Sequence, residues 1–187
     1  MFIQTEATPN PATLKFIPGR KVLDGGTADY REKAEAEASP LATRLFDIDG
    51  VEGVFLGSDF ISVTKGDLEW QHLKPMVLGA IMEHYLSGAN ASEQARETAD
   101  DPHGEDFDPA DKEVVETIKE LLETRVRPAV AQDGGDITFS GFRDGVVYLH
   151  MRGACAGCPS STATLQQGIE NLLQHFCPDV REVQAVA

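Results

Sequence analysis

One stretch decides the fold of the C-terminal half of the chain, and it reads DGGDITFSGFRDGVVYLHMRGACAGCPSS over residues 133–161. The glycine pair at its start marks a turn into a strand over residues 137–142. Asp144-Gly145 is a strong hairpin signal and connects this strand to a second one over residues 146–151. Pro159 then stands where a helix begins. The stretch therefore predicts a turn, two strands, a glycine-rich loop with two cysteines, and a helix.

Two amphipathic helices and a last strand surround this stretch. A helix from about Lys112 has its apolar residues at helical spacing, and Pro128 distorts or ends it. The helix after Pro159 has an apolar face, and residues 182–186 form a short final strand. The apolar positions are Val114, Ile118, Leu121, Leu122 and Val126 in the first helix, and Leu165, Ile169, Leu172, Leu173 and Phe176 in the second.

The N-terminal half has its own succession of strands and helices. Residues 2–7 and 13–17 form a hairpin around the turn signal TPNP, and residues 51–55 and 60–64 form a second hairpin. Ser39 caps a short helix that has Pro40 in its first position. A longer helix follows the second hairpin, with Pro75 in its first turn or at a kink; its apolar stripe is Leu73, Val77, Ala80, Ile81 and His84.

An acidic stretch separates the two halves. Between Ser87 and Asp111 there are eight acidic residues and one basic residue, with almost nothing to bury. Such a composition is typical of a flexible linker. The chain is therefore predicted to be α+β, with small domains over residues 1–87 and 112–187 joined by an acidic linker over residues 88–111.

Charge and composition exclude several classes of partner. Against 31 Asp and Glu there are only 16 Lys and Arg, which gives a net charge of -15 and a pI near 4.6. Nucleic acids and anionic membranes attract basic surfaces, so neither is a predicted partner. Residues 75–82 form the longest uncharged apolar run, far too short to span a bilayer. The N-terminus lacks the features of a targeting segment. We expect a cytoplasmic protein, or one of the mitochondrial matrix if the chain is processed.

The chemistry centres on the loop GACAGCPSS, residues 153–161. Cys155 and Cys158 are three positions apart in a glycine-rich loop, so both sulfurs can face one site. They precede a helix, whose free backbone N–H groups and dipole favour thiolates. Arg152 adds positive potential. The residues therefore predict either a reactive dithiol or half of a metal site.

The remaining residues leave three interpretations. A dithiol that cycles to a disulfide needs a longer sheet assembly after its motif than this chain provides. A metal would need two further ligands. The intervening helix places Cys177 about 25 Å or more from the motif. His150, on the preceding strand, and His175, at the far end of that helix, have neither the spacing nor the reach to join the two cysteines. A second copy of the chain can supply another Cys155 and Cys158. Four thiolates then hold zinc or an iron-sulfur cluster, and geometry alone does not choose between them.

Two segments resemble a known family. The C-terminal half, with Arg127-Pro128, the DGGD turn at 133–136, GFRDG at 141–145 and the GACAGCPSS loop, resembles the C-terminal domain of NifU, also called the Nfu domain. The N-terminal segment MFIQTEATPNPATLKFIPG resembles the N-terminal domain of Nfu-type proteins. Together the two resemblances cover nearly all of the chain outside the linker.

The resemblance implies an iron-sulfur cluster scaffold or carrier. It implies a [4Fe-4S] cluster bound between two protomers through Cys155 and Cys158, and transfer of that cluster to apo-proteins. Expected partners are the second protomer, client apo-proteins and upstream assembly factors. It gives Cys177 no role. The sequence contains no nucleophile–base pair, phosphate-binding loop or carboxylate dyad, so we expect a carrier and not an enzyme.

Overall fold

The computed structural model describes residues 1–88, 106–156 and 159–186. The chain divides into two compact units, Met1–Ala99 and Asp100–Ala187. Each unit combines a sheet with helices, so the predicted α+β class is confirmed. Within the described residues, every helix is too short or too polar to cross a bilayer.

The first unit is an antiparallel five-stranded sheet with two helices. The sheet has the order β1-β2-β5-β4-β3. Its strands are β1 (Gln4–Ala7), β2 (Thr13–Ile17), β3 (Ala28–Tyr30), β4 (Val51–Leu56) and β5 (Ile61–Lys65), and the helices are α1 (Pro40–Phe46) and α2 (Trp70–Leu86). One core joins the sheet to the helices, with fully buried side chains including Phe16, Val54, Ile61, Leu41, Leu73 and Val77.

Local sequence signals account for most of this unit. Both predicted hairpins form, with β1 paired to β2 and β4 paired to β5. Ser39 caps α1, where its Oγ accepts a hydrogen bond from the Ala42 N–H at 3.2 Å. Pro75 lies inside α2, beyond its first turn. Strand β3 was not predicted, because its three residues are too few to show a pattern; it forms by pairing with β4 at the sheet edge.

A histidine in the core of this unit makes its stability dependent on pH. His84 is fully buried in α2, and neither ring nitrogen has a hydrogen-bond partner among the described residues. Burial, and then the positive charge of Arg44, lower the pKa of His84 below 6.5. As pH falls below 6.5, the unfolded chain binds a proton that the folded chain resists. The free energy of unfolding should therefore decrease with falling pH, by at most about 1.4 kcal/mol per pH unit for this group.

Replacing His84 tests this prediction. Trp70 is the only tryptophan of the chain and lies at the start of α2, so its fluorescence reports on this unit. Urea unfolding between pH 7 and 5 should show a loss of stability in the wild type that is smaller in His84→Leu. His72→Leu, an exposed histidine on the same helix, is the control and should behave as wild type. Equal pH dependence in His84→Leu and wild type would contradict the prediction.

The second unit is a four-stranded sheet packed against helices. Its order is β6-β7-β8-β9, with β7 antiparallel to β8 and the outer pairs parallel. The strands are β6 (Asp106–Phe107), β7 (Gly135–Arg143), β8 (Val146–Gly153) and β9 (Glu182–Val186), and the helices are α3 (Lys112–Leu121), α4 (Arg127–Gln132) and α5 (Pro159–Phe176). The core includes Ile118, Val126, Ile137, Leu149, Leu173 and Val183.

Two features of this unit differ from the sequence prediction. Residues Leu122–Val126 form a π-helical turn between α3 and α4, so the helix continues beyond Pro128 to Gln132. Pro128 is accommodated because it lies in the first turn of α4. The end of the predicted linker contains β6, which pairs with β7, and Phe107 packs against the core. Of the predicted linker, residues 89–105 lie outside the described residues.

Candidate metal centre

The loop between β8 and α5 folds back onto the turn that precedes β7. Gly153 has a positive φ of 61° and ends β8. The Ala154 N–H then donates to the Gly134 carbonyl at 3.2 Å, and the Cys155 N–H donates to the Arg152 carbonyl at 3.3 Å. From α5, the Thr162 hydroxyl donates to the Cys155 carbonyl at 3.2 Å. These bonds fix the backbone of Cys155 between the two strands and the following helix.

The side chain of Cys155 lies in a close-fitting position, here called the thiol seat, against Gly135. Cys155 is a free thiol that is only 6% exposed and belongs to the core of the unit. A Cβ at residue 135 would lie 2.5 Å from Cys155 Sγ and 2.8 Å from the Arg152 carbonyl oxygen. Only glycine therefore leaves room for the sulfur in this position.

The thiol seat changes the acidity that the sequence predicts for Cys155. Burial, and then the negative charges of Asp133 and Asp136, raise the pKa of the Cys155 thiol to about 12. The prediction of a favoured thiolate is thus wrong for Cys155 in this structure. A sulfur in the core is desolvated, and the two nearby carboxylates oppose a second negative charge. The seat holds a neutral thiol.

The DGGD turn beneath the loop is held by an ion pair. Gly134 has a φ of 79°, and the segment makes the predicted turn between helix and strand. The Arg127 guanidinium donates through Nε and Nη2 to both oxygens of Asp136, each at 2.9 Å. These hydrogen bonds raise the pKa of Arg127. The Asp136 carboxylate is thus already occupied by Arg127, which supports the turn interpretation over a metal site here.

The other residues considered for metal binding lie elsewhere. Cys158 is outside the described residues. Cys177 is buried at the far end of α5, where burial and then Asp179 raise its pKa. The length of α5 puts it about 27 Å along the helix from the loop. His150 lies within β8, and His175 at the end of α5 contacts the Phe176 ring. Across the described ranges, no three His, Cys, Asp or Glu side chains gather in a metal-binding arrangement.

Comparison with known families matches both units. Residues 3–88 match the family described as scaffold protein Nfu/NifU N terminal, and residues 118–184 match the NifU-like domain. The human protein named NFU1 iron-sulfur cluster scaffold homolog, mitochondrial, is 50% identical over 188 residues, which cover the whole chain and 72% of that protein. The chain belongs to the Nfu family of iron-sulfur cluster scaffold proteins. The resemblance seen in the sequence is therefore confirmed.

Other Nfu relatives show similar identity. NifU-like protein 4, mitochondrial, of Arabidopsis thaliana is 50% identical over 98% of this chain, which spans 65% of the plant protein. The NFU1 homolog of Drosophila willistoni is 49% identical over the whole chain, which spans 64% of that relative. Among solved structures, a NifU-like protein from Saccharomyces cerevisiae aligns over 50% of this chain and 86% of its own, with 24% identity and a TM-score of 0.46.

Sequence reasoning missed two structural features at the candidate site of this Nfu chain. The ion pair between Arg127 and Asp136 spans nine residues and crosses from a helix to a strand, a separation that no local pattern indicates. The thiol seat at Gly135 was also missed, since it depends on the register that brings Gly135 opposite Gly153. The DGGD segment contained a signal for the thiol seat. One glycine is enough for the turn, so the second indicates a position that has no room for a side chain.

Proposed function

We propose that this Nfu chain carries a [4Fe-4S] cluster held between two protomers and passes it to apo-proteins. Cys155 and Cys158 of each protomer would supply two of the four thiolates. The observation that carries the proposal is that the described part of one chain offers no complete set of metal ligands. Among the described residues, no three His, Cys, Asp or Glu side chains gather in an arrangement that could hold a metal ion. Two thiols per chain complete a four-thiolate site when a second chain contributes the same pair.

Binding the cluster requires Cys155 to leave the thiol seat. In the seat Cys155 as a residue is only 6% exposed, so the protein shields it from iron shared with another protomer. We infer that the Cys155 side chain rotates or its loop shifts outward, the thiol gives up its proton to water, and the resulting thiolate would bind iron. The buried position is then the resting place of the thiol in the cluster-free protein.

Release is the reverse exchange of one thiol for another. A client thiol would bind iron through its sulfur and lose its proton, the bond between iron and Cys155 would break, and that proton would go to the Cys155 sulfur. The neutral Cys155 thiol then returns to the seat against Gly135. Because a neutral sulfur regains buried packing there, the seat favours the cluster-free state. An exchange of this kind requires no change in the oxidation state of the cluster.

In the thiol seat the pKa of Cys155 is raised to about 12, so both the cluster-binding function and the competing dithiol function would need Cys155 to leave the seat before it acts as a thiolate. A disulfide-reduction assay on single chains tests the competing dithiol function. A zinc-bridged structural dimer uses the same four sulfurs, and metal analysis distinguishes it from the cluster carrier.

The remaining features of the proposal concern the whole chain. We propose a carrier and not an enzyme, with domains over residues 1–87 and 112–187 and an acidic linker over 88–111. The first domain would recruit client proteins or upstream assembly factors. We place the protein in a reducing compartment, the cytoplasm or the mitochondrial matrix, where free thiols such as Cys155 and Cys177 persist.

Anaerobic reconstitution tests the proposed function. Supplied with ferrous iron, sulfide and a reductant, the full chain should bind about four irons and four sulfides per two chains, with broad visible absorption. Incubation with an apo-protein that requires a [4Fe-4S] cluster should then restore the activity of that client in the presence of an iron chelator. Colourless protein that binds only zinc would contradict the proposal.

A further inference from the structure

We propose that Arg127 is a positioning residue for the cysteine loop, and the inference depends on the proposed function only for the identity of what the loop binds. Arg127 lies at the start of α4 and reaches Asp136 on β7. Its planar guanidinium fits both carboxylate oxygens at once, a geometry that fixes orientation as well as distance. Asp136 in turn accepts a hydrogen bond from the Ile137 N–H at 2.8 Å.

The ion pair is largely buried on the Asp136 side. The Asp136 side chain is 4% exposed, whereas that of Arg127 is 30% exposed. Removing one member of a buried ion pair strongly lowers the stability of the fold, because the remaining charge is left in a poorly solvated position. Without the guanidinium, the Asp136 carboxylate would therefore move toward water. The pair therefore has more effect on the local backbone than an exposed ion pair would have.

Arg127 holds the backbone of residues 134–136, which packs against the cysteine loop and is called its floor below. Asp136 pairs with Arg152 in the sheet, and the adjacent Gly135 pairs with Gly153. Gly135 also forms the thiol seat, and its neighbour Gly134 accepts the hydrogen bond from Ala154. A movement of the Asp136 backbone would therefore also displace the adjacent Gly135, which forms the thiol seat. The Arg127 side chain hydrogen-bonds to Asp136 and Glu123, so its effect on the cysteine loop is indirect.

Two features of the helix fix the orientation of the Arg127 side chain. The Arg127 N–H donates to the Leu122 carbonyl, five residues back, which closes the π turn of Leu122–Val126. Such single turns insert one extra residue and rotate the side chains that follow; they occur often at functional sites. Glu123, four residues before Arg127, accepts from Arg127 Nη1 at 2.6 Å and holds the guanidinium from its other side. Both features fix where the guanidinium points.

Amide exchange in the cluster-free full chain tests the proposal without any need for a cluster. In Arg127→Gln, the amides of Ala154 and Ile137 should exchange roughly tenfold or more faster than in wild type, because the loop and its floor open locally. The Cys177 amide, which donates to the Leu173 carbonyl at the far end of α5, should be unchanged. Arg127→Lys keeps the charge but loses the two-pronged geometry and should lie between the two.

Arg143→Gln is the matched control, since Arg143 makes an exposed ion pair with Asp106 in the same unit. It should leave the exchange of all these amides at the wild-type rate. Equal acceleration at Ala154 and Cys177 in Arg127→Gln would reduce Arg127 to a general stabilising role and overturn the proposal. Unchanged exchange at Ala154 would also overturn it. If wild type fails to take up a cluster while the exchange pattern appears as expected, the proposed function fails and the positioning role of Arg127 stands.

Discussion

Replacing Cys155 or Cys158 with alanine abolishes cluster binding in our account. Each protomer would then offer one thiolate, and a site with two missing ligands cannot hold four irons. Reconstituted Cys155→Ala and Cys158→Ala should contain less than about a tenth of the wild-type iron and sulfide and should lack visible absorption. Iron and sulfide analysis after gel filtration measures the effect.

Cys177→Ala is the control for this prediction. Cys177 is buried in the core of the second unit, so its truncation leaves a small cavity and lowers stability by about 1 kcal/mol. The cluster should nevertheless assemble at the wild-type ratio, because α5 keeps Cys177 far from the loop. If Cys177→Ala also lost the cluster, the assignment of the ligands to the loop would be wrong.

Replacing Gly135 with alanine should disrupt the site although it replaces no ligand. The new methyl group would meet Cys155 Sγ at 2.5 Å and the Arg152 carbonyl oxygen at 2.8 Å. A side chain can rotate away, but a backbone carbonyl in the β7–β8 ladder cannot, so the strands must separate at this end. Expelling the Cys155 sulfur from the seat would by itself favour the cluster, but separation of the strands also displaces the start of the cysteine loop. We expect the displacement to dominate, with a loss of about 1–3 kcal/mol in the free energy of unfolding and severalfold less cluster per protomer.

Gly168→Ala is the matched control within the same unit. Gly168 lies in α5, and a Cβ there would meet nothing within 4 Å. Alanine should stabilise the helix by about 0.5–1 kcal/mol and leave the cluster content unchanged. Urea unfolding followed by circular dichroism, together with iron analysis, compares the two variants. Wild-type stability together with wild-type cluster content in Gly135→Ala would show that the close fit between Gly135 and Cys155 affects neither the fold nor the site.

The sequence predicts those parts of the fold that local rules determine. Both hairpins of the first unit, the Ser39 cap and the β7–β8 hairpin at Asp144-Gly145 follow from turn and capping chemistry, and all of them form. Strands β3 and β6 have three and two residues and exist only because a longer neighbour pairs with them. No sequence pattern indicates a strand whose stability comes from its partner.

The site shows the same division between local and tertiary effects. The spacing of Cys155 and Cys158 and their place before α5 can be read from the sequence. The protonation of Cys155 cannot, because it depends on burial against Gly135 and on the carboxylates of Asp133 and Asp136. A helix terminus favours a thiolate only when the sulfur is exposed to it, and in this fold the core competes for the same side chain.

Native mass spectrometry of the anaerobically reconstituted full chain tests the sharing of one cluster between two protomers most directly. We predict a species with the mass of two chains and one [4Fe-4S] cluster, and separation into single chains without iron when a chelator removes the cluster. A single chain that retains a complete cluster would contradict the account.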